Sequence, residues 1–137
     1  MDYKNIEQKW QKWWEENKIN AIDLNKAQKP FYNLVMFPYP SGKALHIGHW
    51  YNYGGIDTYG RFLRMNGYNV LHPMGFDAFG LPAENFAIKH GIPPAESTSQ
   101  NVVRMREQIK ALGGMFQWEN ELNTSLPEYY KWTQWIF

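Results

Sequence analysis

The pattern of hydrophobic and polar positions predicts a helix and then a strand in the first part of the chain. Ile6, Trp10 and Trp13 recur at helical spacing behind Asp2, a residue suited to cap a helix. A polar loop follows this helix. Residues 31–37, FYNLVMF, form a short aromatic and β-branched run between two prolines, which predicts a buried strand.

A second, longer helical pattern covers residues 47–65 and stops at Asn66 and Gly67, which are typical of helix ends. Its apolar positions share one predicted face, which carries Ile56, Tyr59, Phe62 and Leu63. Arg61 and Arg64 fall outside this face, so we expect both to point to solvent.

The rest of the chain alternates between the two patterns. YNVLHPM predicts a second strand over residues 68–74, and Pro82 and Gly91 bound a short helix. STSQ, residues 97–100, has the form of a capping box ahead of another helix, and a last helix starts near Pro127. This order predicts an α/β fold with a parallel sheet, for which two strands are too few.

The composition is typical of a folded domain and argues against several classes of protein. Hydrophobic residues make up 44% and charged residues 20% of the chain, which argues against disorder. The absence of cysteine excludes disulfides and cysteine-based zinc sites. A net charge of +1 gives no argument for a non-specific polyanion binder. Because the sequence has neither a signal peptide nor a membrane-spanning run, we expect a cytoplasmic protein without membrane contact.

The candidate chemistry lies in PYPSGKALHIGHW, residues 38–50, between the first strand and the long helix. Ligands of open α/β sheets bind beyond the carboxyl ends of strands, and a helix N-terminus favours phosphate. Three interpretations of His46 and His49 are open: a metal pair, donors to a phosphate, or two packed histidines. No cysteine or nearby carboxylate supplies a third metal ligand. The dinucleotide fingerprint and the Walker phosphate loop are both absent from the sequence.

These motifs resemble a known family. HIGH, residues 46–49, is the nucleotide-binding signature of class I aminoacyl-tRNA synthetases. Together with MFPYPSG and VLHPMGFDAFGLPAEN, it resembles the leucyl-tRNA synthetase family over residues 3–137. The resemblance implies the first half of a Rossmann-like parallel-sheet nucleotide-binding domain with flanking helices. Residues 1–30 then form an N-terminal helix and linker, and residues 31–137 form the N-terminal part of the catalytic domain.

The resemblance also implies which residues contact each substrate. ATP, which brings Mg²⁺, is expected to contact His46, Gly48, His49 and Asn52, and the two histidines are the expected catalytic residues. The leucine pocket is expected to comprise Met36, Phe37, Tyr39 and Asp77. Asp77 would face the leucine ammonium group, and the alternative is a carboxylate that caps a turn. No side chain is expected to bind a metal, tRNA(Leu) is the expected acceptor, and Lys43 is expected in solvent rather than on phosphate.

The resemblance covers only part of the family pattern. The Lys-Met-Ser-Lys-Ser loop of the family is missing, and the ending KWTQWIF lacks a helix stop. We therefore expect a fragment without the C-terminal portion of the same enzyme, and weak or no aminoacylation activity of the chain alone. Two other functions stay open: a nucleotidyltransferase of the same superfamily, and a non-catalytic module that docks through its Trp-rich helices.

Overall fold

The computed structural model describes residues 1–42 and 44–137, so the expectation for Lys43 lies outside the described residues. The helices and strands, in chain order, are α1 (Tyr3–Glu16), β1 (Pro30–Tyr32), α2 (Ile47–Met65), β2 (Asn69–Leu71), β3 (Pro73–Phe76), α3 (Leu81–His90), α4 (Pro94–Ala111), β4 (Gln117–Asn123) and α5 (Pro127–Ile136). Within this part of the chain, no helix combines the length and the apolar character that a membrane span requires.

Several predicted helix ends are confirmed. Asp2 caps α1 by accepting the Asn5 backbone N–H at 3.2 Å. α2 has Asn66 as its C-cap, and α3 ends at Gly91, which adopts the left-handed conformation with φ of +65°. α5 begins at Pro127. Periodicity and capping residues therefore predict these helices correctly.

The strands pair in parallel, as the sequence predicts. β1 pairs with β2, and β3 pairs with β4. Only His72 separates β2 from β3, so this stretch of chain carries both pairings. The sequence pattern does not predict β4, because QWENELN is mostly polar and only its first residue is fully buried. The predicted α/β fold is confirmed, with short parallel sheets.

The first strand is shorter than residues 31–37, so that prediction is wrong beyond Tyr32. The Asn33 N–H still donates to the Leu71 carbonyl, 2.8 Å away. In a parallel ladder the donors on the neighbouring strand fall at alternate residues, and the next donor would be residue 73. Pro73 has no N–H, so the ladder stops there.

The predicted apolar face of α2 is confirmed at Leu63, which is buried, and at Ile56, which packs on the core, but it is wrong at two positions. The buried residues of α2 are Tyr53, Gly60 and Leu63. Tyr59 and Phe62 were expected on this face but are each about half exposed, at 49% and 53%. A Cβ on Gly60 would lie only 2.7 Å from Asn33 Nδ2. Glycine therefore allows α2 to approach the β1 segment (residues 30–37) closely.

Arg61 and Arg64 turn inward, which corrects the expectation that both point to solvent. The Arg64 guanidinium donates at 3.1 Å to the carbonyls of both Ile19 and Asn20, in the linker after α1. Burial lowers the pKa of Arg64. Arg61 donates at 2.7 Å to the Gly113 carbonyl, just after α4. Because backbone carbonyls away from water need donors, these two arginines satisfy irregular segments that pack against α2.

α4 begins at Pro94, upstream of the predicted capping box at residues 97–100. Ser97 and Thr98 therefore lie inside the helix, and both are buried. Proline has a φ close to the helical value and lacks the N–H that a first-turn residue leaves unpaired. The helix therefore begins at the proline and not at the predicted capping box.

The hydrophobic core lies where α2 and α4 meet β3 and the end of the β1 segment. Its buried residues are Val35, Tyr53, Met74, Phe76, Val102, Met105, Ile109 and Phe116. Three of them recur at helical spacing on α4, which fixes that helix firmly against the strands. This packing places the N-terminus of α2 beside a rigid support.

Candidate active site

The two histidines of the HIGH motif cap the N-terminus of α2 reciprocally. Nδ1 of His46, the N-cap residue, accepts the Gly48 backbone N–H at 3.1 Å. The His46 backbone N–H in turn donates to Nδ1 of His49 at 3.2 Å. This is the arrangement of a capping box, with imidazole nitrogens in the places that Ser or Thr and Glu usually take. The histidine spacing therefore has a structural role in starting the helix.

The capping bonds also determine which ring nitrogen of each histidine carries the proton. Because both Nδ1 atoms accept hydrogen bonds, the neutral rings of His46 and His49 hold their protons on Nε2. The ring centroids lie 3.9 Å apart. Burial lowers the pKa of His49, and the neighbouring His46 lowers it further. The pair thus offers two Nε2–H donors beside the positive end of a 19-residue helix, a combination suited to an anion.

Gly48 leaves the space that the His46 ring occupies. A Cβ at position 48 would lie 3.0 Å from both Cε1 and Nδ1 of His46. Any side chain there would press on the ring that caps the helix. Asn52 lies on the next turn of α2 and is half-buried. The four residues expected at ATP therefore share the first two turns of α2 and its cap.

Asp77 lies where the β3 strand ends and next to the loop that follows the β1 segment. Its backbone N–H donates to the Pro38 carbonyl at 3.1 Å. The Thr124 hydroxyl accepts the Ala78 N–H at 2.8 Å and lies 3.5 Å from Asp77 Oδ1. The half-buried Asp77 therefore has Thr124 beside its carboxylate, and its backbone is bonded to Pro38, the residue before Tyr39. The sequence does not predict a role for Thr124, because this residue follows β4, a strand that the hydrophobic pattern does not predict.

The apolar residues expected at leucine differ in their exposure. Met36 and Tyr39 are exposed, at 65% and 54%, whereas Phe37 is partly buried against the core. A Cβ on Gly75 would lie 2.8 Å from the Phe37 ring, so only glycine leaves enough space for this ring. Among the described residues, no hydrogen bond joins the histidine pair to Asp77.

Two buried polar groups lie behind the histidine pair. The Tyr53 ring lies 5.8 Å from the His49 ring and packs edge-on against Phe116. The His72 ring also packs against Phe116, and the centroids of these two rings lie 4.4 Å apart. Within the described part of the chain, Tyr53 Oη and His72 Nε2 have no hydrogen-bond partner. Burial raises the pKa of Tyr53 and lowers the pKa of His72 to about 4, so both side chains are neutral core residues.

A metal ion held by the two histidines would need further ligands beside their rings. Both Nδ1 atoms are engaged by backbone N–H groups. Residues 1–42 and 44–137 contain no group of three His, Asp or Glu side chains that is able to hold a metal ion. A partly open cavity of about 670 Å³ lies elsewhere, between α1 and the end of α4, and none of the expected site residues lines it.

The fold and the histidine-capped helix agree with a family match. Residues 32–137 match the family described as "tRNA synthetases class I (M)". The chain therefore belongs to the class I tRNA synthetases.

Similar curated proteins point to one amino acid within this class. The chain is 61% identical over 132 residues to a leucine–tRNA ligase of Clostridium perfringens and 59% identical to one of Clostridium botulinum. Both alignments cover 96% of this chain. The chain spans 16% of the length of these relatives.

Similar solved structures agree with the predicted fold. The ternary complex of Agrobacterium radiobacter K84 agnB2 LeuRS with tRNA and LeuAMS has a TM-score of 0.93 and 44% identity, and covers 99% of this chain and 18% of that one. Methionyl-tRNA synthetase of Mycobacterium tuberculosis, in complex with methionyl-adenylate, has a TM-score of 0.70 and 29% identity. That match covers 76% of this chain and 20% of the other. The Rossmann-like α/β fold expected from the sequence is confirmed.

Proposed function

We propose that this chain forms the part of a leucine–tRNA ligase in which leucine and ATP meet. The leucine carboxylate attacks the α-phosphorus of ATP, which gives leucyl-adenylate and releases pyrophosphate. The leucyl group then passes to the terminal ribose of tRNA(Leu), and AMP leaves. The similarity to leucine–tRNA ligases at 59–61% identity supports this choice over a nucleotidyltransferase or a non-catalytic module.

The observation that carries the proposal is the reciprocal capping of α2 by His46 and His49. As leucine attacks, negative charge builds up on the oxygens of the α-phosphate. Two fixed Nε2–H donors at the positive end of a helix are suited to stabilise that charge. Gly48 allows the phosphate to approach the backbone, and Asn52 contributes on the adenosine side. The residues act mainly by position and charge, as phosphoryl transfer requires.

The leucine side consists of Met36, Phe37, Tyr39 and Asp77. The three large side chains supply apolar surface for the isobutyl group. The Asp77 carboxylate supplies the charge that a buried ammonium group needs. Its half-buried position beside Pro38 supports this role, and a simple turn cap is the competing explanation.

Mg²⁺ belongs to the proposal as part of the ATP substrate. Bound with ATP, it would neutralise part of the charge on the phosphate oxygens. The acceptor is tRNA(Leu), and a cytoplasmic location follows from its place in protein synthesis. Because the chain spans 16% of the length of its relatives, we expect weak or no aminoacylation by these 137 residues alone.

A chimeric enzyme tests the proposal. The segment of the Clostridium perfringens leucine–tRNA ligase that aligns with this chain is replaced by the chain, and ATP–pyrophosphate exchange is measured with leucine, isoleucine or methionine. We expect leucine-dependent exchange within about tenfold of the unmodified enzyme, and less with the other two amino acids, whose side chains have a different shape; a misfit the size of one methylene is worth roughly 1–3 kcal/mol. A properly folded chimera without leucine-dependent exchange, or with a preference for methionine, would reject the proposal.

A further inference from the structure

Two side chains of α4 hold the loop that connects the leucine side to the histidine pair. The Asn101 amide Nδ2 donates to the Pro40 carbonyl at 2.9 Å. Gln108 Oε1 accepts the Leu45 backbone N–H, also at 2.9 Å. One bond therefore reaches the loop just after Tyr39, and the other reaches it just before the capping residue at position 46.

The spacing of these two bonds is set by the helix that carries them. Asn101 and Gln108 are seven residues apart, which is two helical turns and about 10 Å along one face of α4. The same helix is anchored in the core by Val102, Met105 and Ile109. The two ends of the loop are therefore attached to one rigid element.

The burial of Asn101 indicates that its side-chain amide is present for its hydrogen bond rather than for packing alone. Asn101 is 3% exposed, on the same helix as the core residues Val102, Met105 and Ile109. A buried amide is costly unless it is hydrogen-bonded, and packing alone would be served as well by an apolar side chain. Its bond to a backbone carbonyl instead fixes a loop that has two buried prolines, Pro38 and Pro40, and no helix or strand among its described residues.

We propose that Asn101 and Gln108 are positioning residues that set the distance between the amino-acid side and the phosphate side of the site. Gln108 acts through Leu45 on the backbone of His46, whose extended conformation allows its ring to cap α2. Asn101 acts through Pro40 on Tyr39. The assignment of substrates to these two sides rests on the proposed function. A displacement of about 1 Å between reacting groups is sufficient to slow a reaction about 100-fold.

Amide hydrogen exchange, followed by NMR on this chain without substrate, tests the positioning directly. Gln108→Ala should speed exchange of the Leu45 N–H about fivefold to tenfold, because a lost hydrogen bond has about that effect, and it should shift the His46 ring signals. Gln108→Glu keeps an acceptor oxygen and should retain the protection. Gln100→Ala removes an exposed glutamine of the same helix, whose side chain donates to Glu96, and is the matched control.

Two results would overturn the proposal. One is unchanged Leu45 exchange and unchanged His46 signals in Gln108→Ala. The other is equal loss of protection in Gln108→Ala, Gln108→Glu and Gln100→Ala, which would indicate general destabilisation of α4.

Kinetics in the chimera separate this proposal from the proposed function. Asn101→Ala should raise the KM for leucine more than the KM for ATP, and Gln108→Ala should do the reverse. Equal changes in both KM values would contradict the two-sided role, and if Asn101→Ala fails to fold, the Gln108 variants decide. A chimera without leucine-dependent exchange would reject the proposed function, whereas the exchange of the Leu45 amide would still decide the positioning.

Discussion

Acidification from pH 6.5 to 4 should destabilise the fold through one buried side chain, His72. This residue is 1% exposed, and its Nε2 has no partner among the described residues. Burial lowers its pKa to about 4, Asp57 opposes this effect and Arg64 adds to it. The folded chain therefore keeps His72 neutral at a pH where an unfolded chain would protonate it.

The magnitude follows from the difference between the folded and unfolded pKa values. The ordinary value is 6.5 and the folded value is about 4, and each pKa unit corresponds to about 1.36 kcal/mol. Above pH 6.5 both states are neutral, so the contribution of His72 to stability is fully present. As the pH falls below 6.5, only the unfolded state takes up the proton. About 3 kcal/mol of stability should be lost by the time the pH passes the folded value.

Urea unfolding at a series of pH values measures this loss. His72→Leu replaces the ring with a non-titrating side chain, so its free energy of unfolding should fall less between pH 6.5 and 4. The difference between the two curves isolates His72, because every other titratable residue is the same in both proteins. His90→Ala removes an exposed histidine that packs on Phe86, and should follow the unmodified chain. If the free energy of unfolding fell equally with pH in His72→Leu and in the unmodified chain, protonation of His72 would not be the cause of the loss.

Four further substitutions, at three positions, test the α2 helix by urea unfolding. His46→Ala should lower the free energy of unfolding by about 1 kcal/mol, because the cap on the Gly48 N–H is lost, whereas His46→Asn keeps a capping oxygen and should match the unmodified chain. Equal stability of the two variants would contradict the capping role. Gly60→Ala should destabilise by about 1–3 kcal/mol, since its Cβ would lie 2.7 Å from Asn33 Nδ2. Gly54→Ala, which meets nothing within 4 Å, should stabilise the same helix by up to about 1 kcal/mol, and a loss there as large as at Gly60 would be inconsistent with this packing.

Local signals in the sequence predict the helices well but not the direction in which they face. Asp2, Asn66 and Gly91 mark helix ends through capping rules that need no knowledge of the rest of the fold. The inward direction of Arg64 depends on carbonyls of the linker at Ile19 and Asn20, more than 40 residues away. No periodicity of α2 itself contains that information.

Strand lengths depend on the partner strand, which the pattern of one strand does not reveal. The β1 ladder ends because the next donor would be Pro73, a fact that becomes visible only once the register with β2 is known. The sequence does not predict β4, because this strand is mostly polar. It is held in the sheet by backbone hydrogen bonds to β3, which leave no hydrophobic pattern in the sequence. Thr124, at the end of β4, is missed with it.

The candidate site is predicted from motif resemblance more than from spacing. His46 and His49 are found by the sequence, but their reciprocal caps are not, because histidine is not a usual capping residue. Asp77 stays a predicted contact to leucine, and the structure adds only its neighbours at Pro38 and Thr124. The attachment of the loop by α4 is a contact across more than 60 residues and has no sequence signature.

Pyrophosphate exchange by the chimera carrying His46→Asn tests the central claim most directly. This variant keeps the helix cap and removes the Nε2–H donor, so it separates chemistry from folding. We expect unchanged stability and a fall in kcat for leucine-dependent exchange of about 100-fold or more, the usual cost of losing one donor to a developing oxyanion. Exchange at the rate of the unsubstituted chimera would show that the His46 donor does not serve the phosphate.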